Sequence, residues 1–297
     1  MITQIPLISL RRALCTIVCF VLCASASAQA EKNDQSSVGV APSGSVESDG
    51  LRIHYESFGV GPPLILVCGW GADTRRNWID SGWVDALKTD RLVISLEPRG
   101  HGLSDKPHDA KAYSYSVMSR DVLALMDQLH IAKADYMGYS MGAFMGAYLL
   151  GHHADRFNSM ILGGIGDETE ESKNACHVIA EALRTPDPAQ ITNPIGRAYR
   201  AYVETDPNRD LESLALSALQ MWPEGYPLAL GGEGLGRVAI PVLIVNGADD
   251  HPYIDTVGNL VEAVPGAKLA VIPRANHLTA VSHPGFKEAV LQFLRVR

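Results

Sequence analysis

Gly138-Tyr139-Ser140-Met141-Gly142 stands between a short apolar run, Asp135 to Gly138 (DYMG), and a segment of small and apolar residues that includes Ala143, Gly146 and Ala147. G-x-S-x-G by itself is a weak pattern, because glycine and serine are common. Its setting gives it meaning: glycines between a strand and a helix let the chain turn sharply and expose the serine hydroxyl. The spacing therefore predicts strand, turn and helix here, with Ser140 as a candidate nucleophile.

Outward from this turn, apolar runs alternate with helical patterns. Leu64 to Cys68 (LILVC), Leu92 to Leu96 (LVISL), Ser159 to Gly163 (SMILG), Val242 to Asn246 (VLIVN) and Lys268 to Ile272 (KLAVI) are continuous rather than alternating, as strands buried on both faces are. Between them, Val122, Leu125, Met126 and Leu129 fall at helical spacing, so about Ser116 to His130 is an amphipathic helix. Phe286, Ala289, Val290 and Phe293 repeat that spacing after Pro284. The expected fold is α/β, a mostly parallel central sheet flanked by helices.

The rhythm breaks at about residues 166–238. Helical stretches at Ser172 to Leu183, Gly196 to Glu204 and Leu211 to Met221 are separated by the Pro-rich Thr185 to Pro194 and the Gly-rich Trp222 to Gly236, with no strand. A helical insertion between two parallel strands is expected to form a lid over the strand C-terminal edge, with Tyr199, Tyr202, Trp222 and Tyr226 making its surface partly aromatic.

A serine hydroxyl near pH 7 needs a base, and the base needs an orienting carboxylate. Asn246-Gly247-Ala248-Asp249-Asp250 ends one strand and Ala275-Asn276-His277 follows the next, so both chemistries arrive at one sheet edge in the order Ser, Asp, His. Asp250 is the expected acid and His277 the expected base. Asp249 and Asp167 are alternative acids, while His251, His101 and His283 sit in turns or at a helix start. A tetrahedral intermediate needs two backbone N–H donors. Met141 follows the nucleophile and supplies one; Trp70, in the turn Cys68-Gly69-Trp70-Gly71, is the candidate for the other.

These residues carry a resemblance. From about Gly50 onward the chain resembles the α/β-hydrolase fold superfamily, a serine esterase or lipase-like member with a helical lid. GYSMG stands at the nucleophile elbow, LEPRGHGLSDKP (Leu96 to Pro107) after a strand, GADD at the acid turn and ANHLTAVSHP at the histidine. The resemblance implies fold more specifically than substrate. It departs from the usual pattern at Cys68-Gly69, where His-Gly is usual, and at Glu97, where Asp opens the RGHG segment. Epoxide hydrolases and haloalkane dehalogenases share the fold but have an aspartate nucleophile where Ser140 stands, which argues against both.

Composition sets the outer bounds. The chain has 297 residues, 46% hydrophobic and 20% charged, with a formal charge of −8 and no basic run, which argues against a nucleic-acid partner. Arg11 and Arg12, the apolar Ala13 to Cys23 and the small-x-small Ala28-Gln29-Ala30 read as a signal peptide, residues 1–30, in which Leu22 before Cys23 argues against a lipoprotein cysteine. The apolar run is too short to span a bilayer. Cleavage removes two arginines and no acidic residue, taking the charge to −10. It leaves Cys68 and Cys176, which are expected to be buried free thiols rather than a bridge. Residues 31–49 read as a flexible leader, with structure beginning near Leu51 and the hydrolase domain spanning 50–297. His152 and His153 lack partners at metal-ligand spacing, no G-x-G-x-x-G follows a strand, and no cofactor is required.

The expected function is a secreted or periplasmic serine hydrolase cleaving carboxylic esters or lactones of small molecules. A peptidase, an acyltransferase or a carbon–carbon bond hydrolase would use the same three residues, and a non-catalytic ligand-binding protein would keep the fold. An intact Ser, His and Asp set argues against the last.

Overall fold

The computed structural model describes residues 42–167, 170–221 and 226–295. Residues 1–30, expected to be a signal peptide, and the first part of the leader lie outside them, as does Trp222. Among the described residues, β1 (Ser43–Ser48), β2 (Leu51–Phe58), β3 (Pro63–Val67), β4 (Leu92–Leu96), β5 (Ala134–Tyr139), β6 (Phe157–Gly163), β7 (Val242–Gly247) and β8 (Lys268–Ile272) form one sheet. The strand order is β1-β2-β4-β3-β5-β6-β7-β8. β2 runs antiparallel to both its neighbours, and all other pairings are parallel.

β1 corrects the leader expected at 31–49. Ser43–Ser48 pairs residue for residue with Leu51–Glu56, so ordered structure starts before Leu51. An edge strand needs only alternate residues buried, and here Val46 and Ser48 are buried while Ser45 and Glu47 on either side of Val46 are not. A Ser- and Gly-rich composition hides so weak a signal.

The central strands alternate between two cores. Leu64 and Leu66 of β3 pack into one, Ile65 and Val67 into the other. Each fully buried aliphatic side chain of this kind contributes roughly 1.5–3 kcal/mol by leaving water. The helices in chain order are α1 (Trp83–Leu87), α2 (Tyr115–Gln128), α3 (Met141–His152), α4 (Glu170–Arg184), α5 (Pro194–Glu204), α6 (Leu211–Gln220), α7 (Pro227–Gly231), α8 (Tyr253–Ala263) and α9 (Pro284–Arg295). Met118, Val122, Phe144, Leu149, Val257 and Leu260 bring α2, α3 and α8 onto one face. Trp83, Leu87, Phe286 and Val290 bring α1 and α9 onto the other.

The insertion between β6 and β7 holds α4 to α7. Ile179, Leu183, Val203, Leu214 and Ala218 give α4, α5 and α6 a small core of their own. Their starts are locally encoded: Asn193 accepts from the amides of Ile195 and Gly196 ahead of Pro194, and Asp210 accepts from Ser213 at 2.8 Å. The described part of the Gly-rich stretch before β7, from residue 226 on, is more ordered than its composition suggests. It forms α7, whose Pro227 start and Leu-Ala-Leu interior suit a helix, and a 3-10 helix, Gly232–Arg237, in which burial of Leu235 in the main core overrides the low helix propensity of its glycines.

Candidate active site

Ser140 sits between β5 and α3 with φ 50° and ψ −117°, a conformation that costs a non-glycine residue on the order of 1–3 kcal/mol. Its neighbours explain how it is held. The Ser140 amide donates to the Gly163 carbonyl at 2.8 Å, extending the sheet pairing to β6. A Cβ on Gly138 would stand 2.3 Å from the Gly142 carbonyl oxygen, and one on Gly142 would stand 2.2 Å from that of Val67. The two glycines are thus needed for room, while the serine itself takes the strained backbone.

His277 bridges Ser140 and Asp250. Its Nε2 lies 2.9 Å from Ser140 Oγ, and its Nδ1 lies 3.0 and 3.2 Å from the two oxygens of Asp250. A carboxylate only accepts, so Nδ1 carries the proton and Nε2 offers its lone pair to the serine hydroxyl. The Asp250 side chain is fully buried, whereas that of His277 is 22% exposed, so the pair is sheltered on the acid side and open on the side of the serine. Two backbone hydrogen bonds fix the acid turn to the histidine loop: Ala248 donates to Ile272 and Asp249 to Ala275. Tyr139 reinforces the loop by donating its hydroxyl to the His277 carbonyl at 2.5 Å. Burial pushes that phenol well above its ordinary pKa, which keeps it a donor.

Met141 opens α3, so its amide is one that no helical carbonyl can reach. Trp70 lies in the turn after β3, which passes close to the serine: a Cβ on Gly69 would be 3.4 Å from Ser140 Cβ. Two side chains shape this turn without any strong sequence signal. Asn77 Oδ1 accepts from the Gly69 amide at 2.9 Å, and Glu97 accepts from the amides of Thr74 at 3.1 Å and Leu103 at 2.6 Å. Glu97, longer than the expected aspartate, thereby ties the turn's descending arm to the RGHG segment. Cys68 donates its thiol to the Ala72 carbonyl at 3.2 Å and stays protonated, since burial raises its pKa well above the ordinary value. Cys68 and Cys176 are both buried and unbridged.

The remaining candidates lie elsewhere. Asp249 is exposed. Asp167 engages Asn259 and Thr256 of α8. His251 pairs with Asp255 at 2.7 Å, which raises its pKa, and His283 accepts from the Gly285 amide. His101 is buried, its Nδ1 donating to the Arg99 carbonyl at 3.1 Å. His152 donates to the Leu230 carbonyl at 2.9 Å, and the His153 ring lies tilted 6.3 Å from that of Tyr148. Among the described residues no cluster of three His, Cys, Asp or Glu could hold a metal, and no helix is long and apolar enough to cross a membrane.

A cavity of about 430 Å³ opens onto Ser140 and His277. Trp70 and Tyr139 from the sheet edge, Tyr199 and Tyr202 from α5, and Leu278 and Val281 after the histidine supply its apolar wall. Arg76 also lines it, a residue for which the sequence offered no motif.

Comparison with known proteins agrees with this architecture. The chain is 30% identical over 255 residues to 3-oxoadipate enol-lactonase 2 of Acinetobacter baylyi, covering 81% of this chain and 92% of that protein. It is 24% identical over 271 residues to 2-hydroxy-6-oxo-6-(2'-aminophenyl)hexa-2,4-dienoic acid hydrolase of Metapseudomonas resinovorans, covering 85% and 90%. The crystal structure of the enol-lactonase from Burkholderia xenovorans LB400 superposes with a TM-score of 0.66 at 25% identity, covering 84% of this chain and 98% of that one. The profile of the family described as alpha/beta hydrolase fold matches residues 62–284, and the chain belongs to that family.

Proposed function

We propose that this protein is a serine hydrolase that cleaves carboxylic esters or lactones through an acyl-enzyme. The observation that carries this reading is the His277 bridge between the strained Ser140 and the buried Asp250. Ser140 Oγ attacks the carbonyl carbon as its proton passes to His277 Nε2, and Asp250 stabilises the imidazolium. The oxyanion that forms is held by the amides of Trp70 and Met141. When the C–O bond breaks, His277 returns the proton to the leaving alkoxide, which in a lactone stays tethered to the acyl group. Water, deprotonated by His277, then releases the acid and restores Ser140.

Likeness to enol-lactonases supports small cyclic or open esters as substrates. Likeness to a dienoic acid hydrolase favours one second reading, cleavage of an oxo-dienoic acid by the same residues. The N-terminal leader adds that the enzyme acts outside the cytoplasm after cleavage at Ala30, which the mass of the mature chain tests. Function is tested by rates on a p-nitrophenyl ester series and on γ- and δ-lactones, beside Ser140→Ala. Turnover that vanishes in the variant supports the reading. Turnover of oxo-dienoic acids alone selects the second, and a fluorophosphonate that leaves Ser140 unlabelled in a folded, inactive protein rejects serine catalysis.

A further inference from the structure

Arg76 stands out by what it lacks. Among the described residues five arginines are partly or fully buried: Arg76, Arg91, Arg99, Arg156 and Arg200. Four of them end on a carboxylate, that of Asp135, Asp121, Asp127 or Glu204. Arg76 instead donates Nη1 to the carbonyls of Gly71 at 3.4 Å and Tyr202 at 3.1 Å, with Cζ 4.2 Å from the centre of the Tyr202 ring. These partners are neutral, and burial keeps the Tyr202 phenol so by raising its pKa. The nearest acids in sequence are engaged otherwise. Asp73 Oδ1 accepts from the Arg76 backbone amide, and Asp80, the acidic residue lining the cavity, is exposed with Oδ2 3.6 Å from Arg75 Nε.

A partly desolvated guanidinium without a counter-charge, in the wall of the cavity that holds the nucleophile, is a built site for an anion. We propose that Arg76 binds the carboxylate of an anionic substrate, an ester or lactone carrying a free acid at the end remote from its scissile carbonyl. The inference rests on the hydrolase reading above and deepens it. One guanidinium matches a singly charged carboxylate, whereas a phosphate dianion would leave a charge unpaired. The fixed carbonyls of Gly71 and Tyr202 hold the fork in place, so little side-chain freedom is lost on binding. Trp70, Leu278 and Val281 line the same cavity and cover the carbon chain between the two polar ends.

The test compares p-nitrophenyl hemiglutarate, anionic, with p-nitrophenyl valerate, neutral and of equal chain length, for the wild type, Arg76→Gln and Arg76→Lys. The wild type is expected to prefer the hemiester at least tenfold in kcat/KM, the preference shrinking as ionic strength rises. Arg76→Gln lowers that ratio about tenfold, mainly through KM, and Arg76→Lys retains part of it. A wild type without preference, or a variant in which both rates fall together, overturns the proposal and leaves Arg76 a strut between Gly71 and Tyr202. If neither ester is turned over, the hydrolase reading fails separately, and calorimetry of monomethyl glutarate decides the anion site. Binding lost in Arg76→Gln supports it; binding that is absent, or equal in the two proteins, overturns it.

Discussion

Trp70 Nε1 donates to Ser217 Oγ at 2.9 Å, so the residue whose amide is proposed to hold the oxyanion is fastened by its side chain to α6 of the insertion. The Leu214 carbonyl shares the indole proton at 3.2 Å, and Tyr199 packs edge-on at 5.7 Å. The position of the insertion is thereby transmitted to the turn beside Ser140. Removing the Ser217 hydroxyl leaves the indole its weaker partner, so the loss should be that of one ordinary hydrogen bond, about 1 kcal/mol, or roughly fivefold in kcat. Ser217→Ala and Trp70→Phe are expected to lower kcat severalfold, with the double variant little slower than Trp70→Phe alone. A thermal shift with kcat intact would assign the contact to stability only.

Ser140, His277 and Asp250 should act as a unit. Ser140→Ala and His277→Ala are each expected to lower kcat/KM by about 10⁴-fold or more, and to do so non-additively. Asp250→Asn replaces a pure acceptor with a group that can also donate, which releases Nδ1 and lets the wrong tautomer form; a loss of roughly 10³–10⁴-fold is expected. Asp249→Asn, on an exposed side chain next to it, should stay near the wild type. Circular dichroism of each variant confirms folding, and equal losses at Asp249 and Asp250 would refute the assignment.

Arg99 and Asp121 test how the RGHG segment is anchored. Arg99 Nε donates to Asp121 Oδ2 at 2.9 Å and Nη2 to Oδ1 at 2.5 Å, with both side chains at most 2% exposed. Truncating one partner strands a charge in the interior, which costs about 3–5 kcal/mol. Asp121→Ala should therefore lower the urea midpoint strongly. Asp49, also on Arg99 but 39% exposed, is expected to matter far less, and Asp49→Ala should stay within about 1 kcal/mol of the wild type. Similar losses in both variants would show that the paired charge is not the source.

Much of this arrangement was legible because strong local signals coincide with the site. The runs that form β3 to β7 are buried almost throughout and need no alternation, whereas Lys268–Ile272, expected from its apolar run to be buried on both faces, is the edge strand β8 with Leu269 and Val271 exposed. Ser140, Asp250 and His277 each follow the end of one of these strands. What escaped was encoded in space rather than in sequence. β1 carries a half-buried edge pattern, a 3-10 helix forms over the Gly-rich Gly232–Arg237, and Asn77 and Glu97 act by reaching backbone amides that only the fold brings near. Arg76 has no motif at all, since only the fold brings its guanidinium to the Gly71 and Tyr202 carbonyls and the Tyr202 ring rather than to a carboxylate. The turn buries Asp250 and leaves Asp249 exposed, a difference of one residue that spacing alone leaves open.

His101 should make the fold acid-sensitive above the carboxylate range. Burial pulls its imidazole down from 6.5 to about 4, the Nδ1 bond to the Arg99 carbonyl opposing the shift and Lys106 adding to it. In the unfolded chain the ring titrates near its ordinary pKa, so as pH falls the unfolded state takes up the proton first. Stability from this group is complete above pH 6.5, is lost between 6.5 and about 4, and changes no further below. A shift of this size corresponds to about 3 kcal/mol. Urea midpoints at pH 7, 6 and 5 should decline steadily for the wild type and more shallowly for His101→Gln, which cannot take up that proton. Carboxylates paired in the folded state contribute equally to both proteins, so the difference between the two slopes isolates the histidine. Parallel slopes would mean that the ring is protonated in the folded state as readily as in the unfolded one, against its burial.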